Sequence, residues 1–299
     1  MLDKVAVIIL NYNNYQDTIE CIQGLQAIYN EREIEIIVVD NNSQNDSVKQ
    51  LEKKLKDITI IASTVNKGYA HGNNIGLKNA LAQGYDYLCI LNNDTVIEED
   101  FLSPCIEYLE GNSKVGFISP ALVEYKQKDL VQSTGGDIFI NKGIVTLKNY
   151  HKFLSSLPRV IESDYIGGAC MVFRSSLIDQ VGLIPEIYFL FFEETEWCYR
   201  AKKKGFNNVC LTNIFIQHKG SVSIQSISGL QAYLMERNRV VFVKRNIDSH
   251  LKFTRFLIYI YLRTIFRIVI GKEKNWEKIL FYTDGLLNRV NKNFSFIDI

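Results

Sequence analysis

Tyr87-Leu88-Cys89-Ile90-Leu91-Asn92-Asn93-Asp94-Thr95 carries an apolar run straight into two carboxamides and a carboxylate. The run reads as a strand buried on both faces, expected over Tyr85 to Leu91. Asn and Asp also form turns by bonding their own backbone, and taken alone this stretch favours a plain turn. In an open α/β sheet, however, ligands bind at the carboxyl ends of strands. A cluster of hard oxygens there suits a divalent cation carrying phosphates.

Three earlier strands show the same transition. Val5 to Leu10, Glu35 to Val39 and Ile58 to Ala62 are short apolar runs. Asn11-Tyr12-Asn13-Asn14 stops the first and Asp40-Asn41-Asn42-Ser43 the second. The loop after the third holds Asn66-Lys67-Gly68. Helical spacing fills the gaps: Ile19, Ile22, Leu25 and Ile28, with Asp17 as N-cap and Glu20 three residues on; then Val48, Leu51 and Leu55, capped by Asp46 or Ser47. Gly68 to Leu81 reads as a Gly-rich loop running into a helix. Strand and helix alternating four times predicts a parallel, helix-covered sheet. Its carboxyl edge would collect Asp40, Asn66, Asn92 and Asp94 in one polar crevice.

The 299 residues are 47% hydrophobic and 22% charged, ordinary for a globular protein with a sizeable core. A net charge of +1 gives no field to attract nucleic acid. Sixteen Tyr and seventeen Phe suit packed cores and stacking on ring-shaped ligands. The six Cys show no C-x-x-C spacing, so no zinc site is expected, and most fall in apolar or helical runs where a free thiol behaves as a small hydrophobe. Val5 follows too closely on the start for a secretory layout, which points to the cytoplasm.

The second half reads differently. Gly135 to Val145, with Asn141-Lys142-Gly143 between apolar runs, predicts a β-hairpin. Asp164 to Phe173 predicts a strand opened by Gly167-Gly168, where a ligand can approach the backbone closely. Arg174 to Val181 reads as a helix ended by Gly182, and Glu193 to Lys204 as another ended by Gly205. In Phe191-Phe192-Glu193-Glu194-Thr195-Glu196-Trp197 the acids either complement a helix dipole or include a general base whose basicity the aromatics raise by desolvation. His218, after the strand Val209 to Ile216, is either structural or a metal-binding nitrogen beside Asp94.

Seven segments in order then carry a resemblance. They are Val7 to Asn13, Val38 to Ser43, Asn66 to Gly76, Leu91 to Thr95, Gly167 to Ala169, Phe192 to Arg200 and His218 to Ser221. Over residues 5 to 245 the chain resembles family 2 glycosyltransferases of the GT-A fold, in the branch of bacterial rhamnosyltransferases and galactofuranosyltransferases. The resemblance implies a Rossmann-like, mostly parallel sheet flanked by helices. It makes Asp40 the acid that recognises the nucleotide base or ribose, with Leu10, Asn11, Tyr12, Asn42, Asn66, Lys67, Gly68 and Asn73 around the nucleotide-sugar. Asn92-Asn93-Asp94 takes the place of a D-x-D motif, leaving Asp94 and His218 to hold Mg²⁺ or Mn²⁺. The Glu193-Glu194 pair takes the place of the catalytic base, Glu194 matching its position. Asp164, Gly167, Gly168 and Ala169 border the donor sugar and acceptor.

The expected chemistry is inverting transfer of a sugar, rhamnose favoured, from a dTDP- or UDP-sugar to a cell-surface glycan or lipid-linked acceptor. A non-catalytic nucleotide- or sugar-binding module on the same fold is the alternative. The domain is expected over residues 1–245, with a helical extension over 246–299. Within it, Leu251 to Ile270 places Lys252, Arg255, Arg263 and Arg267 within about 120° of arc. Such a basic amphipathic helix either lies on the inner face of the plasma membrane, packs on the core with a solvated basic stripe, or joins a homodimer.

Overall fold

The computed structural model describes residues 4–29, 34–220, 229–290 and 294. Residues 1–3, 30–33, 221–228, 291–293 and 295–299 lie outside it, among them Ser221 of the last quoted segment.

The first half is the expected alternation: β1 (Val5–Asn11), α1 (Tyr15–Ile28), β2 (Ile34–Asp40), α2 (Ser47–Lys54), β3 (Thr59–Ala62), α3 (Tyr69–Ala82) and β4 (Tyr87–Asn92). The strands pair in parallel in the order β3-β2-β1-β4. Their apolar runs are continuous because each alternates between two cores. On β1, Val5, Val7 and Ile9 face the core beneath α1 and α2, while Ala6 and Ile8 face the core beneath α3. Burial on both faces removes the polar alternation of a one-sided sheet.

The chain continues through β5 (Thr95–Val96), α4 (Leu102–Gly111), β6 (Val115–Glu124), β7 (Gln127–Ser133), β8 (Gly136–Phe139), β9 (Ile144–Leu147), β10 (Val160–Ser163), β11 (Cys170–Arg174), α5 (Leu177–Val181), α6 (Glu193–Lys203) and β12 (Asn207–His218). β11 adds antiparallel to β4 and leads to β6, β12 and β10, so this half of the sheet is mixed. β8 and β9 form the hairpin predicted around Asn141-Lys142-Gly143, with Gly143 left-handed at φ 56°. Last come α7 (Leu230–Asn246), α8 (His250–Val269) and α9 (Lys278–Leu286). Among the described residues no helix is long and apolar enough to cross a membrane. All six cysteines are buried and free.

Three local expectations are corrected. Asp17 does not cap α1: the turn is already complete at Asn14, whose side chain accepts from the Asp17 N–H. Arg174 is not helical. It ends β11, and its guanidinium donates to the carbonyls of Leu109 and Val115. The strand expected from Asp164 begins only at Cys170, because the chain turns at Gly168-Ala169 first.

Candidate active site

Strand order reverses between β1 and β4, and the polar stops of β1, β2 and β4 meet at that switch point. A crevice opens there because the following loops run off in opposite directions.

At the β1–β2 side, Asp40 is buried and accepts from Asn11 Nδ2 at 2.6 Å, Ser43 Oγ at 2.6 Å and Ser43 N–H at 2.9 Å. Two of these bonds fall on Oδ2, so Oδ1 keeps a lone pair for an outside donor. Asn11 is itself fully buried, its Oδ1 accepting from Thr18 Oγ1. Tyr12 is the exposed aromatic beside it, at 37%. Asn42 is half-buried and left-handed at φ 61°, a conformation Asn tolerates. Asn41, which sequence reasoning passed over, donates to Asn66 Oδ1 and the Gly68 carbonyl and so joins the loops after β2 and β3.

Gly68 is fixed by geometry. Its φ is +89°, and a Cβ there would lie 1.9 Å from the Phe189 carbonyl oxygen, which accepts from the Tyr69 N–H. A Cβ on Gly72 would lie 2.3 Å from Leu10 Cδ1, which brings α3 hard against the end of β1. Lys67 is half-buried in the same loop. Asn73 is fully buried and donates to the Tyr69 carbonyl, a support behind the loop rather than a surface contact.

At the end of β4 the three residues diverge. Asn93 donates to the Asn14 carbonyl and Thr18 Oγ1, which commits it to α1. Asn92 is half-buried, its N–H donating to the Ala169 carbonyl. Asp94 is buried, and its Oδ1 lies 3.1 Å from His218 Nε2. β12 pairs with β5 through His218 and Thr95, which sets this approach. Both atoms are buried, and neither makes a hydrogen bond. The contact therefore has an ion pair's distance without a hydrogen bond's direction. Two adjacent ligands about 2.1 Å from an octahedral cation lie about 3.0 Å apart, so this oxygen and nitrogen fit a shared divalent ion. His218 Nδ1 lies 2.6 Å from Gln132 Oε1 on β7, where an N–H donated to Gln132 leaves the Nε2 lone pair toward Asp94. Gln132 had no signal in the sequence, being 86 residues from its partner.

Across the crevice stand Glu193 and Glu194, at the start of α6. The loop before them holds Phe189, Phe191 and Phe192 at φ 64°, 68° and 76°. Bulky residues rarely adopt such angles, and they persist only where the surroundings over-determine them. Here Asn238 of α7 donates to the carbonyls of Tyr188, Leu190 and Phe191. Glu193 is fully buried and Glu194 half-buried, and each has an Oε2 without a partner. Burial, then the neighbouring Glu194 charge, pushes the Glu193 carboxyl well up; burial raises Glu194 as well. Glu194 Cγ would lie 3.7 Å from a Cβ on Gly168, whose carbonyl accepts from Tyr69 Oη at 2.6 Å. Gly168 and Ala169 thus bridge the Glu pair to Asn92.

Glu196 has a different role. Burial pushes its carboxyl up, but bonds from Arg245 and Tyr188 and the charge of Arg200 outweigh that and hold it low. With Asn246 also donating, it ties α6 to α7. Asp164 accepts from the Ile138 N–H and pairs with Lys202, so it links the hairpin to α6.

Comparison with known proteins follows from this geometry. The family model of glycosyl transferase family 2 matches residues 6–181, more than half of the chain. The low-salt glycan biosynthesis hexosyltransferase Agl10 of Haloferax volcanii is 26% identical over 306 residues, covering 98% of this chain and 94% of that protein. The dTDP-rhamnosyl transferase RfbF of Shigella flexneri is 23% identical over 287 residues, covering 92% and 91%. Among solved structures, GalNAc-T7 with UDP, GalNAc and Mn²⁺ superposes with a TM-score of 0.68 at 14% identity; 95% of this chain is covered, and it spans 55% of that one. The mannosyltransferase PcManGT from Pyrobaculum calidifontis, with GDP-Man and Mn²⁺, gives 0.56 at 14% identity, covering 95% of this chain and 73% of that one.

Proposed function

The chain belongs to glycosyl transferase family 2 and is a glycosyltransferase of the GT-A fold, and from that premise we propose that it moves a sugar, rhamnose favoured, from a nucleoside diphosphate donor to a hydroxyl of a cell-surface glycan or lipid-linked acceptor, with inversion. One observation carries the reading. Asp94 Oδ1 and His218 Nε2 on one side, and an Oε2 of each of Glu193 and Glu194 on the other, are left without hydrogen-bond partners and are joined through Asn92, Ala169 and Gly168.

Glu194 is the base. It is the less buried of the two and stands beside Gly168, where an acceptor hydroxyl can reach it, whereas Glu193 is closed off. Its raised pKa makes its carboxylate a stronger base than an ordinary one. As Glu194 takes the hydroxyl proton, the acceptor oxygen bonds to the anomeric carbon. The bond from that carbon to the diphosphate oxygen breaks on the opposite face, which inverts the centre. Tyr12 offers its ring to the base of the nucleotide, and Asp40 Oδ1 accepts from an imide N–H or a ribose hydroxyl. A divalent cation, Mg²⁺ or Mn²⁺, held by Asp94 and His218, would supply charge neutralisation to the leaving diphosphate. The Mn²⁺ named with two structures of this fold supports that choice, and the dTDP-rhamnosyl transferase relative supports rhamnose.

The test is a thermal-shift panel of nucleotide-sugars with Mn²⁺ or Mg²⁺, followed by turnover with the donor that binds. Glu194→Gln is expected to keep the donor-induced shift and lose transfer by on the order of 100- to 10,000-fold. Asp94→Ala is expected to lose the cation-dependent part of the shift. Because Glu194 is raised, wild-type activity should fall as pH drops through a value above the ordinary glutamate range. Normal turnover in folded Glu194→Gln would refute the assignment.

A further inference from the structure

α8 is amphipathic in a sense the sequence alone did not resolve. Phe256, Ile260, Thr264 and Ile268 are its buried residues, and Phe256 and Ile260 pack on the hairpin and α7. Turned about 180° from them, Leu251, Ile258, Leu262, Phe266 and Val269 fall within about 80° of arc. All five are 54–75% exposed. The face opposite the packed one is therefore apolar, not a solvated polar stripe. Contiguous exposed apolar surface of this kind marks an interaction site.

Charge identifies the occupant. Arg255 lies within the apolar face, Lys252 and Arg263 line one flank of it, and Arg267 lies beyond them toward the packed side. From His250 to Lys272 there is no Asp or Glu. Among the described residues none of these four cations pairs with an acid; Arg263 lies over the Tyr259 ring, and Arg267 donates to the Lys272 carbonyl. A second copy docking through the same face would bring its own four cations against these without an anion between them. A bilayer surface supplies both missing elements, acyl chains for the apolar face and negative headgroups for the flank. Trp276, 61% exposed just beyond the helix, is the residue type that sits at headgroup level.

We propose that the outward face of α8 docks the enzyme on a bilayer that carries anionic lipid. The packed face of α8 rests on the hairpin, whose Gly136 bonds Tyr165, a neighbour of Glu194. Docking is read without any catalysis, so its failure and that of the transferase reading are distinguishable.

The experiment is sedimentation of the full-length protein with vesicles of phosphatidylcholine alone or mixed with phosphatidylglycerol, alongside light scattering of the free protein. Wild type should partition to the mixed vesicles on the order of 100-fold more than to the neutral ones, about fivefold for each cation at the surface. Arg255→Gln with Arg263→Gln should weaken that binding about 25-fold, about fivefold for each cation removed. Leu262→Glu with Phe266→Glu should abolish it while thermal midpoint and near-ultraviolet dichroism hold, both side chains being exposed. Equal partition on neutral and anionic vesicles would overturn the proposal. So would a wild-type dimer that L262E with F266E makes monomeric while neither form binds lipid.

Discussion

At the scale of single residues, Glu193 is a buried carboxyl without an ion-pair partner among the described residues, beside a second acid. Its folded pKa lies above its unfolded one, so the native state holds the proton more tightly. The associated stability is fully present below the ordinary glutamate value and is lost as pH rises through the raised one. Glu193→Gln should therefore raise the melting temperature at neutral pH and flatten its decline across that window. Melting curves as a function of pH test this, and parallel wild-type and variant curves would refute it. Asp94, His218 and the Glu pair were legible in the sequence because each follows an apolar run at an element boundary, where a polar side chain has no core to join. Gln132 and Asn41 were not. Gln132 reaches His218 only through strand neighbours far apart in sequence, and Asn41 resembles any turn residue until the loop after β3 folds over it.

At the scale of elements, the aromatic loop before α6 depends on α7. Asn238 is fully buried, and its amide is the side chain that donates to the Tyr188, Leu190 and Phe191 carbonyls. Asn238→Leu keeps the branched shape and strands those carbonyls, at a cost of about 2–4 kcal/mol. With the loop released, Glu194 should lose its position and turnover should fall with the stability measured by urea unfolding. A variant that melts lower yet turns over normally would show the loop does not position the base. The four parallel strands of the first half were legible to within a residue or two, because two-sided burial writes them as unbroken apolar runs, whereas the strand expected from Asp164 starts six residues late and β5, β6, β7 and β10 were not anticipated. The helix starts were less so, since Asn14, Asp17 and Asp46 are equally good caps on paper. The antiparallel insertion of β11 beside β4 left no local trace, because strand order is a property of the whole sheet.

At the scale of the molecule, the C-terminal helices pack on the transferase fold. α9 lies along α7, where Phe281 stacks edge-on against Tyr233, and Tyr282 joins Phe242 and Phe256 in one cluster. Removing residues 247–299 would take away Phe256, Ile260, Phe281 and Tyr282 and uncover Tyr233, Val240 and Phe242, which pack against them. At about 1.5–3 kcal/mol for each buried side chain, that loss rivals the whole stability of a domain. Truncation at residue 246 should give insoluble or loosely packed protein without near-ultraviolet dichroism; a cooperative, soluble fragment would contradict this. The amphipathic pattern of α8 was plain in the sequence. Which of its faces packs was not, since both carry large apolar side chains.

The grip of Arg245 and Asn246 on Glu196 also sets a clock on biosynthesis. The parallel sheet and its polar loops leave the ribosome first, and α6 emerges before the helix that fastens it. At about 5–20 residues per second, the interval between Glu193 and Asn246 is roughly 3–10 s. During that interval the nascent chain has Asp40 and Asp94 at the sheet edge, but His218 arrives only midway and Glu196 is fastened only at the end, so the crevice is assembled from β1 outward.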